Sequence, residues 1–151
     1  MTIASLLARK GVKVVTIQPE HQIRQALALL AEHNIGALVV VDPGARPIGI
    51  LSERDVVRAA IGDERGVFDK PVSALMTRNL IVGVPQDDLT SVGYTMTEKR
   101  IRHLPVVEQG RLVGIISIGD VVKAQRDQYQ GEVDTLQFQL IADQEKPVAR
   151  A

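Results

Sequence analysis

Two serines in this chain are each followed three residues later by an aspartate: Ser52-Glu53-Arg54-Asp55 and Ser117-Ile118-Gly119-Asp120. At the start of a helix this spacing makes a cap. The serine oxygen accepts a backbone N–H, and the acid sits well at the positive end of the helix dipole. The same ends could also hold a ligand: a helix N-terminus offers N–H groups to a phosphate beside the serine hydroxyl, and a carboxylate suits paired hydroxyl donors such as those of a ribose. The motif alone leaves both readings open. Other chemistries fare worse. His21, His33 and His103 are far apart, with no cysteine to complete a metal or nucleophilic set. His33 ends a predicted helix, where it meets the carboxyl dipole. Asp87-Asp88 follows Pro85 where a helix should start, so capping is favoured over metal binding. Gly110, Gly114 and Gly119 have the wrong spacing for a phosphate-cradling loop, and no nucleophile turn is present. The residues point to binding rather than catalysis.

The elements around these motifs are duplicated. Residues 48–58 read IGILSERDVVR and residues 113–123 read VGIISIGDVVK, with six of 11 positions identical. The offset is 65 here and 66 upstream, where Pro19 meets Pro85, Ile35 meets Ile101, Leu38 meets Leu104 and Val40-Val41 meets Val106-Val107. The one-residue difference falls in a turn, where insertions are best tolerated.

In each copy, hydrophobic spacing predicts a strand, a helix, two strands and a second helix. The first copy reads as strand Val14–Ile17 and helix His21–His33, with Ile23, Ala26, Leu27 and Leu30 on one face. A buried strand Ala37–Val41, a turn at Asp42-Pro43-Gly44, a strand Ile48–Leu51 and a helix from Ser52 follow. The second reads as strand Leu80–Val84, helix Asp87–Lys99, strands Leu104–Glu108 and Leu112–Ile116, and a helix from Ser117. Pro71–Met76 suggests a short linker helix, with Ile3–Leu7 as its N-terminal counterpart, so each unit starts with an apolar lead-in. One unit buries too little alone; two related by a pseudo-twofold axis would share a core. The fold class is therefore α+β, two β-α-β-β-α repeats in one module. The expected divisions are 1–62, a linker 63–79, a second repeat 80–125 and a helical tail 126–151.

Composition narrows the function classes. Across 151 residues, 18 basic and 18 acidic side chains balance, which argues against bulk-charge binding to nucleic acid. With 3% aromatic residues and no tryptophan the core must be aliphatic and base-stacking platforms are disfavoured. No signal peptide or membrane span is recognisable, and the absence of cysteine is compatible with the cytoplasm. The tail predicts one helix from Asp120 to Asp143, with Gly131 a weak point and Val133, Leu136 and Leu140 in a stripe suited to a homodimer contact. Residues 144–151 are expected to fray.

The doubled Gly-apolar-apolar-Ser-x-x-Asp, each after a matched hairpin, resembles the CBS domain. Two copies resemble a CBS pair, or Bateman module, and the SERD and SIGD variants with the tail look like stand-alone bacterial CBS-pair proteins. The resemblance covers about residues 1 to 125. It implies a non-enzymatic regulatory module that binds an adenosine-containing ligand (AMP, ADP, ATP, NAD(H) or S-adenosylmethionine) between its repeats. It also implies a ribose contact at Asp55 or Asp120, basic residues at phosphate, and a threonine from the first strand of the opposite repeat. On that pattern Thr16, Arg100, Arg102, His103, Ser117 and Asp120 form the better-equipped cleft. Gly36, Ser52, Arg54, Asp55 and Val82 form a weaker one, Val82 departing from the threonine. No metal site or catalytic cofactor is expected, and neither nucleic acid nor membrane is an expected partner. A homodimer and a regulated protein are. The rival is a structural dimerisation or adaptor protein with vestigial clefts, and an enzyme is a distant third.

Overall fold

The computed structural model describes residues 1–145. Its elements run α1 (Ile3–Lys10), β1 (Thr16–Ile17), α2 (Ile23–His33), β2 (Ala37–Val41), β3 (Pro47–Ser52) and α3 (Glu53–Gly62). After a 3-10 turn at Val67–Asp69 come α4 (Val72–Leu75), α5 (Leu89–Lys99), β4 (His103–Glu108), β5 (Arg111–Ser117) and α6 (Ile118–Glu145).

The all-apolar run Ala37–Val41 is buried along its whole length because it is the central strand of its sheet. It lies parallel to β1 and antiparallel to β3, with Leu38 opposite Leu51. In the second sheet β4 pairs with β5, Leu104 opposite Ile116. Both hairpins shift register at matched places, Val40/Val41 and Val106/Val107. The expected strand Leu80–Val84 does not form; only Gly83 bridges to Val106, its N–H donating to Pro105 O at 2.9 Å. The first helices also start later than their spacing suggested. Asp88 caps α5, accepting from Ser91 N at 3.1 Å, while Asp87 accepts from Val84 N at 2.9 Å. That pair builds a helix entry, as capping chemistry required.

The two lead-in helices are exchanged between the repeats. Ile3, Leu6 and Leu7 of α1 are buried with Leu89, Met96, Leu104 and Ile116 of the second repeat. Val72 of α4 and the adjoining Met76 are buried with Ile23, Leu38 and Leu51 of the first. Backbone bonds fix both helices identically. Ile3 N–H donates to Asp87 O (2.9 Å), Ala4 N–H to Pro85 O (2.8 Å) and Leu89 N–H to Met1 O (3.0 Å). In the other half Val72 N–H donates to His21 O (2.7 Å), Ser73 N–H to Pro19 O (3.0 Å) and Ile23 N–H to Lys70 O (2.9 Å).

This exchange explains the repeated glycine before each Ser-x-x-Asp. A Cβ on Gly49 would lie 2.6 Å from Met76 Sδ, and one on Gly114 2.9 Å from both Leu7 methyls. Each glycine leaves the space that the opposite lead-in fills. Each of those apolar side chains contributes about 1.5–3 kcal/mol by leaving water. No polar or charged residue is buried among the described residues, so both cores are aliphatic.

As far as residue 145 the tail is a single helix. α6 passes through Gly131 without interruption and reaches Glu145, so Gln144 and Glu145 are helical rather than frayed. The rest of the expected frayed end lies outside the described residues. Val121 and Ala124 anchor the start of α6 in the second core, whereas Tyr129, Leu136 and Leu140 are exposed.

Candidate functional site

Both Ser-x-x-Asp segments are helix caps. Ser52 N–H donates to Asp55 Oδ2 at 2.9 Å, and Asp55 N–H returns to Ser52 Oγ at 3.2 Å. Ser117 N–H donates to Asp120 Oδ2 at 2.8 Å, and Asp120 N–H to Ser117 Oγ at 3.0 Å. The first helical amides are engaged too, Glu53 N–H by Gly36 O at 3.0 Å and Ile118 N–H by Arg102 O at 2.8 Å. Much of the N-terminal donor set that could have bound a phosphate is thus already satisfied within the protein. Among the described residues each carboxylate makes its hydrogen bonds through Oδ2.

The two caps face two clefts. The Asp120 cleft encloses about 300 Å³ between the first repeat's Val14, Val15 and Ile35 and the second repeat's Ile115, Ser117 and Asp120. Lys10, at the end of α1, reaches into it and binds Asp120 Oδ2 at 2.5 Å and Ile115 O at 2.7 Å. Burial acts to raise the Asp120 pKa, but the Lys10 hydrogen bond, the Ser117 amide and the Lys10 charge outweigh it and hold the carboxyl below its usual range.

The Asp55 cleft is larger, about 810 Å³. Ser52, Arg54, Asp55 and Arg58 come from the first repeat, Arg100, Arg102 and His103 from the second. No described residue lies within ion-pair distance of these four arginines. His103 and Gly36 line both clefts, the imidazole Cε1 being 3.7 Å from where a Gly36 Cβ would stand. Burial, and then the charge of Lys10, lower the His103 pKa despite the opposing pull of Asp120.

This distribution differs from the grouping expected on the sequence. Arg100 and Arg102 line the Asp55 cleft, not the Asp120 cleft, because the turn before β4 projects across to α3 of the other repeat. Arg100 itself caps α5 in the left-handed region (φ 55°), as Asn34 caps α2 (φ 51°). Thr16 lines an outer groove between β1 and α2, and Val14 and Val15 take the cleft wall instead. Val82 likewise lines the outer groove of its own repeat, away from Asp55. Lys10 and Lys13 line the Asp120 cleft and Arg58 the Asp55 cleft, three positions that the repeated motif does not point to. Lys10 carried one signal, a base at the end of a lead-in helix, and nothing local tied it to Asp120, 110 residues on.

No group of three or more His, Cys, Asp or Glu side chains is placed to hold a metal ion among the described residues. None of the described helices is long and apolar enough to cross a membrane.

Comparison with known proteins agrees with this architecture. The family profile of the CBS domain matches residues 6–62 and 72–127. The CBS domain-containing protein YhcV of Bacillus subtilis is 36% identical over 109 residues, 72% of this chain and 76% of that protein. The crystal structure of a CBS-domain containing protein from Agrobacterium tumefaciens is similar at TM-score 0.80 and 43% identity, covering 83% of this chain and 99% of that one. The CBS domain pair of protein MJ0100, solved in complex with 5'-methylthioadenosine and S-adenosyl-L-methionine, is similar at TM-score 0.74 and 25% identity. The alignment covers 85% of this chain and 98% of that one. Two matched repeats with exchanged lead-ins, caps facing shared clefts, and these relatives lead to one assignment: the chain belongs to the CBS-domain family, as a tandem pair folded into one module.

Proposed function

We propose that this chain is a regulatory module that binds an adenosine-containing ligand in the clefts between its repeats and signals occupancy through its protein contacts. The observation that carries the reading is the pair of capping aspartates, each facing a cleft with aliphatic and basic walls. Ile50 and Ile115 offer the flat apolar surface an adenine needs, and the aspartates suit a ribose. The ligands named for the MJ0100 pair share an adenosine portion, which supports the same class here. A pool of such ligands, and a chain without cysteine, suit the cytoplasm. Regulation follows only if the ligand prefers one of two states of the module.

The first protein contact we propose is a second copy. Val122, Arg126, Tyr129, Val133, Leu136 and Leu140 follow the alternating three- and four-residue spacing of a coiled-coil seam on α6, with Arg126 its one charged position. Four of the five apolar members are more than half exposed: Val122, Tyr129, Leu136 and Leu140. The seam would equally serve a purely architectural dimer, so ligand binding decides between the two readings.

Calorimetric titration of the full chain with adenosine, AMP, ADP, ATP, NAD(H) and S-adenosylmethionine tests the proposal, repeated on Asp55→Asn and Asp120→Asn. Asparagine keeps a capping oxygen. We expect binding by at least one ligand and a loss of about tenfold or more in one variant, the ordinary scale of a charge-assisted bond. The larger loss is expected at Asp55, whose cleft is wider and whose carboxylate holds no lysine. No binding by the folded protein at millimolar ligand would leave the architectural dimer.

A further inference from the structure

Ala124 is the last residue of α6 buried in the second core, and from 126 to 144 the helix is exposed except at Val133. A lone helix of this length is marginal in water, and Gly131 within it weakens it further. Its apolar seam therefore needs a cover. One more three-residue step carries that seam from Leu140 to Asp143. From 126 it reads Arg, Tyr, Val, Leu, Leu, Asp: a base at one end, an acid at the other and apolar residues between. Arg126 has Asp127 at 3.6 Å, but an exposed pair of that kind contributes little and leaves the guanidinium able to turn elsewhere. Two copies running in the same direction set Arg126 against Arg126 and Asp143 against Asp143. The flanks offer no compensation, because their cross-chain neighbours would be Gln125 with Gln130, Glu132 with Gln137 and Gln139 with Gln144, none of them an ion pair. With one copy reversed, Arg126 faces Asp143 of the second copy, Tyr129 faces Leu140 and Val133 faces Leu136. Twofold symmetry repeats each pair.

From this we infer that α6 pairs with α6 of a second copy in the antiparallel direction, about a twofold axis between Asp134 and Thr135, with Arg126 and Asp143 setting direction and register. The inference rests on the second-copy reading above and adds the geometry of the pair. The seam is self-complementary only when reversed, so a second copy supplies by construction the acid and the base that any other partner would have to bring at the right spacing. The two Ala124 roots then stand about 30 Å apart along the helices, and each helix end reaches the root of the other. The modules lie at opposite ends of the pair.

The chain has no cysteine, so single introduced thiols report contacts without background. Full-length Tyr129→Cys and Leu140→Cys are oxidised separately and after mixing, and the disulfides are identified by mass. Mixing should join position 129 of one chain to position 140 of the other. Alone, neither variant should cross-link, because equal positions lie about 16 Å apart along the axis, beyond the reach of a disulfide. Charge exchange gives an independent reading by sedimentation equilibrium. Arg126→Asp should weaken the dimer at least about tenfold, and Arg126→Asp/Asp143→Arg should restore it to within about threefold. Both variants carry an aspartate at 126, so a loss of helix propensity there is not repaired by the second change. Disulfides formed by either cysteine variant alone overturn the inference while keeping the dimer. Dimerisation that Arg126→Asp leaves intact, or that the second exchange does not repair, overturns it as well. A wild-type chain monomeric at tens of micromolar removes the second-copy reading and this inference with it.

Discussion

Replacing Lys10 by methionine keeps the length and much of the packing of the side chain and removes only its charge and donors. Lys10 and Asp120 are 30% and 27% exposed, so their pair lies between the surface and the interior. Exposed pairs are worth about 0–1 kcal/mol, and a hydrogen bond to a charged group about 1.5–3 kcal/mol. An intermediate cost of about 1–2 kcal/mol is therefore expected at pH 7, or roughly 3–6 °C in Tm for a chain of this size. Its pH dependence has a definite sign. The folded-state pKa of Asp120 is lowered, so the stabilisation is fully present above the unfolded value of about 3.9 and is lost as pH falls through the folded value. Urea unfolding of both proteins at pH 7 and at stepwise lower pH should show the Lys10→Met penalty intact near neutrality and shrinking below about pH 4. Asp120→Asn provides a second reading, because Lys10→Met should cost much less in that background. Equal penalties in the two backgrounds would refute the reasoning, since the lysine would then be acting through packing alone.

Three further outcomes are expected. His103 has a lowered pKa, so the unfolded chain takes up its proton first and stability falls as pH drops from about 6.5 towards the folded value. His103→Gln should flatten that decline in urea midpoints between pH 7.5 and 5.5, and an unchanged slope contradicts it. Gly114→Ala forces a methyl into the side chain of Leu7, so a loss of about 1–3 kcal/mol is expected, with faster hydrogen exchange in α1 than in α2. Uniform acceleration across both helices would mean that the glycine acts elsewhere. Leu136→Asp/Leu140→Asp should turn a dimer into a monomer by light scattering while leaving calorimetric nucleotide affinity within about twofold; a wild-type monomer at tens of micromolar removes the α6 interface.

The hairpins, the first helices and the caps were legible because hydrophobic period and capping chemistry are local. Val39 and Val40 need only be read beside their neighbours to give a central strand. The shortened first strands were not legible in the same way. Leu80–Val84 has a strand's composition, yet only Gly83 comes close enough to β4 to bridge, packed against Ile3 and Leu104. The site was legible in kind and misplaced in detail. Ser52, Asp55, Ser117 and Asp120 do face clefts, but which cleft receives Arg100 and Arg102 depends on how a turn projects across the repeat interface. That is a property of the assembled pair. Thr16 shows the same limit, since a shift of one or two residues along a short strand exchanged the cleft for the outer groove.

The exchanged lead-ins also determine where this chain can be divided. A fragment ending before Val72 would carry Ile3, Leu6 and Leu7 with no core to receive them, while its own core lacked Val72 and Met76. The complementary fragment would have the opposite deficit. Neither half is a folding unit, although each contains a whole sequence repeat, so limited proteolysis in the 63–71 segment should yield two pieces that remain associated until both unfold. A cut between Lys10 and Val14 would instead sever from the chain the helix that gives Ile3, Leu6 and Leu7 to the second core and Lys10 to Asp120. Cooperative unfolding, on this account, has its boundaries at the lead-ins and not at the sequence repeats.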